Sequence, residues 1–266
     1  MSPQINNHLA QTVKALHKSD TPLILTNIWN AITATTIASL PETTAIAAAS
    51  YAIAAAAGLP GSSLTLEVNL AAVKAIARLA YTANKSLTVN WQDEYGDILE
   101  EGVREVIRAG AVGINLGDYG REVGEGGGLY TLPEAQDRIR RVLHVASLEG
   151  VPDFVINART DALVVGLSID EAITRAQAYL EAGVHNTFIW GGRERGGMTR
   201  GEVEKASRAL RGRLNVSLVR DKTGGLSVDA LRRIGVARIS VGPQLMQRTS
   251  GAVAEEAKRI LAGESV

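Results

Sequence analysis

The sequence predicts an α/β protein, a single (β/α)8 TIM barrel, and three observations predict it. The chain has 266 residues, enough for one such barrel, although two smaller domains would also fit that length. Short β-branched or apolar runs alternate with longer amphipathic segments from one end to the other. No low-complexity linker interrupts that alternation, which favours one barrel domain spanning 1–266 over two doubly wound domains.

Residues 1–20, MSPQINNHLAQTVKALHKSD, read as a helical extension ahead of the barrel. Eight runs then serve as strands: PLILT, TAIAAAS, SLTVN, GINLG, DFVINAR, NTFIW, LNVSLV and ARISVG. Between them lie the helical patterns LEVNLAAVKAIARLAYTAN, LEEGVREVIRAG, PEAQDRIRRVLHVASLEG, SIDEAITRAQAYLEAG and RGEVEKASRALRG, several ending at a glycine suited to a C-cap. The alanine-rich TAIAAASYAIAAAAGLP suits close packing inside the barrel, with a weakly specified alanine helix as the alternative.

Lysine plus arginine equals aspartate plus glutamate at 28 each, so no net field recruits nucleic acid or an anionic membrane. No stretch reaches the roughly 18 continuous apolar residues of a membrane span, and the start lacks a signal-peptide core. The expectation is a soluble, cytoplasmic protein whose partner is a small-molecule substrate. Cysteine is absent, which removes disulfides, thiolate metal sites and cysteine nucleophiles together.

Barrel enzymes carry their reacting groups where strands end and βα loops begin. That rule selects Asn27, Trp29 and Asn30; Ser50 and Tyr51; Asn90, Trp91, Gln92 and Asp93; and Asp118 with Tyr119. Later strands add Arg159 and Asp161, Trp190 and Arg193, Arg220, Asp221 and Lys222, and Gly242 to Gln244. No histidine is among them. His8 and His17 precede the barrel, His144 lies in a helix, and His185 begins a strand on the opposite face, which argues against histidine base catalysis.

Three runs, GAVGINLGD (110–118), NARTDAL (157–163) and GVARISVGP (235–243), together resemble the isocitrate lyase and phosphoenolpyruvate mutase superfamily, over roughly residues 20–262. The resemblance implies a barrel whose last helix swaps between partners, a homodimer or homotetramer, and magnesium-dependent making or breaking of C–C or P–C bonds in 2-oxo and enol acids. It also implies acids at positions that here read Asn30, Gly61, Asn90, Gln92 and Gly117, and a Lys-Lys-Cys-Gly-His loop in the region that here reads GDYGREVGEGGGLY.

These departures share a direction. Magnesium wants hard anionic oxygens, so amides and glycines in place of carboxylates remove most of its attraction. The expectation is no metal ligand set and no cofactor. A register shift that recruits Asp93, Asp97 and Asp118 instead is the alternative. Arg159 stands at the position that holds a substrate carboxylate or phosphonate in the family, with an internal salt bridge to Asp118 or Asp161 as its structural role. Asp118 reads as the best surviving acid or base, or as a loop cap. Ser50 matches a substrate-contacting serine, without a base beside it.

Of eleven Phe, Trp and Tyr residues, Trp29, Trp91, Trp190, Tyr51, Tyr95, Tyr119 and Tyr130 all fall at the predicted mouth. They read as the lining of a site for a larger apolar or aromatic molecule, or as rings capping the core. GREVGEGGG reads as a lid, since no strand leads into it at P-loop spacing. Asp118 and Arg159 are thus the candidate catalytic residues. Trp29, Asn30, Ser50, Tyr51, Asn90, Trp91, Gln92, Tyr119 and Trp190 are the candidate substrate contacts. The expected function is a metal-independent lyase or isomerase; a catalytically silent binding barrel and a magnesium lyase with relocated ligands are the alternatives.

Overall fold

The computed structural model describes residues 2–92, 95–219 and 225–264. Asp93, the side chain of Asp97, and Arg220, Asp221 and Lys222 lie outside the described residues. Ahead of the barrel runs α1 (Pro3–Ala15), N-capped by Ser2. The first stave forms in two pieces, β1 (Leu23–Leu25) and β2 (Asn27–Ile28), followed by α2 (Ala31–Ala38), β3 (Ala45–Ala48), α3 (Ser50–Ala56), α4 (Leu66–Thr82) and β4 (Ser86–Asn90). Next come α5 (Leu99–Ala109), β5 (Gly113–Gly117), the small antiparallel hairpin β6 (Tyr119–Gly120) and β7 (Gly128–Leu129), α6 (Leu132–Leu148) and β8 (Val155–Thr160). The chain finishes through α7 (Ile169–Glu181), β9 (Asn186–Ile189), α8 (Arg200–Ala209), β10 (Leu214–Ser217), α9 (Val228–Ile234), β11 (Arg238–Ser240) and α10 (Gln244–Leu261).

Every pairing in the main sheet is parallel: β1 joins β11 and β2 joins β3. Nine described segments therefore close as eight staves, because β1 and β2 are one strand interrupted at Thr26. Asn27 seals that seam, its Oδ1 accepting from the N–H groups of Val241 (3.0 Å) and Gly242 (2.8 Å). The alanine-rich stretch divides at Ala49 into a strand and a short helix, so each reading of it holds over half its length.

Two-residue alternation sorts each strand's side chains between two cores. In β4, Leu87 and Val89 join the apolar layer under the helices, whereas Thr88 turns inward. The barrel interior is a ladder of amides: Asn157 donates to Asn115 Oδ1 (2.8 Å), and Asn186 donates to Asn157 Oδ1 (2.8 Å). Arg238, 1% exposed, donates to Asn115 Oδ1 (3.1 Å) and Thr88 Oγ1 (3.4 Å). Branched aliphatic side chains usually fill that space. Here the apolar burial that stabilises the fold lies mainly between strands and helices.

The N-terminal helix covers the floor, at the strands' N-terminal ends. Leu9, Ala10 and Val13 are buried, Ser86 Oγ donates to Leu9 O (2.8 Å), and Asp153 accepts from Gln11 (2.8 Å) and Lys14 (3.0 Å). His17 and His185 meet there edge to face, 5.3 Å between centroids. At the other end of the chain α10 buries none of its residues, and Val253, Ile260 and Leu261 stand exposed. No helix among the described residues is long and apolar enough to cross a membrane.

Candidate active site

Arg159, two residues after inward-facing Asn157, projects into the mouth of the barrel. Its Nε and Nη2 donate to the two carboxylate oxygens of Asp161 at 2.6 and 2.7 Å. The guanidinium lies 4.1 Å from the Trp190 ring centroid and 5.9 Å from that of Phe188. Nη1 has no protein partner among the described residues, and the side chain remains 20% exposed. A planar cation held from behind and open on one nitrogen is prepared to receive an anion.

The clamp has its own support. Asp118 Oδ1 accepts the Asp161 N–H (2.8 Å), and the Asp118 N–H donates to Arg159 O (3.1 Å). Its Oδ2 accepts from Tyr179 Oη (2.6 Å) and Arg175 Nη1 (3.3 Å), which come from α7 behind the sheet. Burial pushes the Asp118 carboxyl above its ordinary range, against the Tyr179 hydroxyl and the Asp161 amide, which pull it down. A cavity of about 10 Å³, the room one water needs, lies between Asp118, Tyr179, Arg138 and Arg159. Asp118 is therefore a positioning residue that points away from the mouth. The acid/base role assigned to it from sequence is corrected, because the residue after inward-facing Gly117 must face the helices.

Two staves from Arg159's strand, the segment after β4 makes a tight turn. Gln92 has φ +58°, a left-handed conformation that costs a non-glycine residue about 1 kcal/mol or more. Four contacts hold it there. Its N–H donates to Asn90 Oδ1 (3.3 Å) and its carbonyl accepts the Gly117 N–H (2.7 Å). Its Nε2 donates to Gly61 O (3.0 Å), and its Oε1 accepts from Arg121 Nη2 (2.6 Å). Arg121 reaches over from the β6–β7 hairpin, donating also to Ser62 O (3.1 Å) and standing 5.5 Å from the Tyr95 ring centroid.

The positions where the resemblance expects acids are thus refilled. A Cβ on Gly117 would stand 3.0 Å from the Gln92 carbonyl, and one on Gly61 would stand 2.8 Å from the Tyr51 ring. Asn30 caps α2, its Oδ1 accepting from Thr33 N–H (2.9 Å). Among the described residues at these positions, the oxygens of Asn30, Asn90 and Gln92 are neutral and already engaged by donors, which does not suit magnesium. Among the described residues no group of three or more His, Cys, Asp or Glu could hold a metal ion. Asp93 and the side chain of Asp97, two of the three relocated ligands, fall outside what is described; the third, Asp118, is bonded to Asp161, Tyr179 and Arg175.

The aromatic lining is thinner than the sequence suggested. Trp91 is fully buried and meets Tyr95 edge to face at 5.6 Å, so its assignment as a substrate contact is corrected: between Asn90 and Gln92 its ring faces α4 and α5, with Gly102 beside its indole nitrogen. Tyr130 is buried beneath Arg138 at 4.3 Å. Trp29 and Trp190 are half-buried at strand ends, and Tyr51 is exposed against Gly61. Tyr119 packs on Gly127 and donates to Gly126 O (3.2 Å), pinning the glycine-rich hairpin. Ser50 opens α3 as a buried residue, with no base bonded to its hydroxyl among the described residues. Arg121, Arg175 and Tyr179 were not legible as site residues, since nothing in their local spacing announces partners some thirty to sixty positions away.

The fold is an α/β barrel with a guanidinium at the strand ends of its mouth. The chain matches the phosphoenolpyruvate phosphomutase family over residues 13–261 and belongs to it, within the phosphoenolpyruvate mutase and isocitrate lyase superfamily. It is 41% identical to 2-methylisocitrate lyase of Escherichia coli over 90 residues, 32% of this chain and only 29% of that enzyme's length. Its fold superposes with a TM-score of 0.83 on a Burkholderia cenocepacia protein assigned as a phosphonomutase, at 29% identity, covering 96% of this chain and 99% of the other. A structure of oxaloacetate acetylhydrolase with its product oxalate shares the fold at TM-score 0.82 and 21% identity, over 95% and 86% of the two chains.

Proposed function

We propose that this protein is an enzyme that makes or breaks a carbon–carbon bond in a small carboxylic acid, anchored at Arg159, without a divalent cation. The carrying observation is the Arg159 clamp: a guanidinium fixed by Asp161, faced by Trp190, with Nη1 left open to the mouth. Relatives named for 2-methylisocitrate and oxaloacetate chemistry support an acid as substrate. The larger apolar molecule expected from sequence loses support, because Trp91 and Tyr130 lie in the core rather than on the mouth. Arg159 would bind and orient one carboxylate, while Asp161 and Asp118 keep the guanidinium plane fixed so that no reorganisation accompanies binding.

Oxalate, the smallest dicarboxylate, is the first probe, followed by a panel of 2-oxo and 2-hydroxy acids for turnover. Oxalate is expected to raise the melting temperature of the wild type, and Arg159→Gln is expected to abolish the shift. Arg159→Lys should restore little, because an ammonium cannot keep the two parallel bonds to Asp161 and still present a fixed donor to the mouth. Equal binding by wild type and Arg159→Gln would reject the reading. A silent binding barrel is favoured by one observation, that Asp118 is spent on positioning. Oxalate binding without turnover of any acid in the panel would support it.

A further inference from the structure

We infer that Trp190 is the positioning residue of the acid site, holding Arg159 in the one pairing with Asp161 that leaves a terminal nitrogen for the substrate carboxylate. The inference rests on the acid-binding reading above and adds to it what sets the direction of the anchor. A guanidinium can meet a carboxylate side-on, through Nε and one terminal nitrogen, or end-on, through both terminal nitrogens. Arg159 is side-on, its Nε and Nη2 donating to Asp161 at 2.6 and 2.7 Å. The difference decides what the site can bind. Side-on pairing leaves Nη1 with both of its N–H groups, whereas end-on pairing would leave only the single N–H of Nε, at the stem of the side chain.

Asp161 alone does not choose between the two, because either fork satisfies both of its oxygens. The rings make the choice. The guanidinium carbon lies over the Trp190 ring, 4.1 Å from its centroid, and 5.9 Å from the centroid of Phe188. Phe188 pairs in register with Arg159, and Asn186, Phe188 and Trp190 share the inward parity of β9. Trp190 is itself fixed. Its backbone N–H donates to Thr160 O (3.2 Å), which extends the β8–β9 ladder by one residue, and Gly191 after it has no room for a side chain against the backbone of Gly197 and Met198. An aromatic face attracts a cation while asking for none of its N–H groups, so the indole orients the guanidinium and leaves Nη1 uncommitted. An oxygen that accepts from Nη1 then stands about 4 Å from the guanidinium carbon, beside the indole.

The test is calorimetric titration of the full chain with sodium oxalate in EDTA, paired with tryptophan emission through the same titration. Wild type is expected to bind and to change its emission, since the anion arrives beside the indole. Trp190→Leu keeps apolar bulk and loses the ring, so it should weaken binding about fivefold or more, the worth of a partly buried cation–ring contact. Trp190→Phe puts a ring back over the guanidinium. It should recover most of the affinity while losing the emission change, which assigns that change to Trp190. A tryptophan that merely packs would give a different pattern: leucine and phenylalanine would act alike, and oxalate would leave wild-type emission unaltered. Either of those results, or wild-type affinity in Trp190→Leu, would overturn this inference, and the acid site would still stand if Arg159→Gln abolished binding. If Trp190→Leu does not fold, the wild-type emission and its loss in Trp190→Phe decide. Failure of the wild type to bind oxalate by calorimetry would remove both readings.

Discussion

Single residues at the mouth show how positions where the family resemblance expects acids are filled by other groups. A single carboxylate placed at Gly117 or Gly61 should not recruit magnesium, because neighbouring atoms stand in the way. Gly117→Glu must push the Gln92 carbonyl away from 3.0 Å, and Gly61→Asp must displace the Tyr51 ring from 2.8 Å. Gly117→Glu, against backbone, should lower stability by about 1–3 kcal/mol, the usual cost of inserting atoms into packed space, and Gly61→Asp, against an exposed ring, should cost less; neither should raise the melting temperature on adding magnesium beyond a matched salt control. A magnesium-specific rise in either variant would show that the pocket reopens. Trp91 belongs to the same lesson. Fully buried, it should lose about 3–5 kcal/mol on Trp91→Ala in urea unfolding, a folding defect rather than a binding one. Its direction was recoverable from sequence: if Asn90 and Gln92 point inward, the residue between them points out, and the same alternation applied to Gly117 would have turned Asp118 towards α7. Arg159, Ser50 and Trp190 were placed correctly at strand ends, since that rule needs only the end of a strand. Arg121 was beyond reach, because its partners come from two other loops.

At the scale of elements, the alternation of apolar runs and amphipathic segments located all eight staves, and the five helical patterns quoted correspond to α4, α5, α6, α7 and α8. What the pattern could not show was the break at Thr26, which depends on how the first and last strands meet across Asn27. Nor could it show that the barrel interior is polar, because an inward asparagine on a parallel strand reads like a loop residue until its ladder partners are known. The last helix is the element that a single chain leaves unfinished. None of its residues is buried, and Val253, Ile260 and Leu261 are 69%, 50% and 87% exposed. Apolar residues spaced along one unpartnered helix suit a second copy, as the family's exchanged helix implies. The expected state is a dimer or tetramer. Val253→Asp with Leu261→Asp should convert it to monomer in sedimentation equilibrium without loss of helicity, and a wild type already monomeric at micromolar concentration would count against the exchange.

For the whole molecule, the two ends of the barrel are built to opposite chemical requirements. At the mouth Nη1 of Arg159 is open, whereas the floor buries the Arg238 guanidinium and one imidazole nitrogen of His17. Arg238 has Nε and Nη1 without partners, and burial pulls its pKa down to about 9, so it stays charged near neutrality. His17 lies close enough to feel that charge. The residue as a whole is partly exposed, yet Nε2 is shut off from solvent with no partner, and Nδ1 is 2.8 Å from Val13 O. Burial first, then the Arg238 charge, lower the His17 pKa to about 3, with the Val13 carbonyl opposing and the neighbouring His185 adding slightly. His185 is lowered in the same direction, by burial and by Lys14. A histidine whose folded pKa is depressed stays neutral in the native state while the unfolded chain takes up a proton below its ordinary pKa of 6.5. Its contribution is therefore complete above that value and is lost as the pH falls towards about 3. Each such group should tilt stability by up to about 1.4 kcal/mol per pH unit in that window. Urea midpoints compared between about pH 7 and pH 5 stay above the range where most carboxylates titrate, so the histidines dominate the slope. His17→Gln should make the slope clearly shallower and leave a remainder to His185; an unchanged slope would mean that the folded protein protonates His17 freely and that the floor is not sealed.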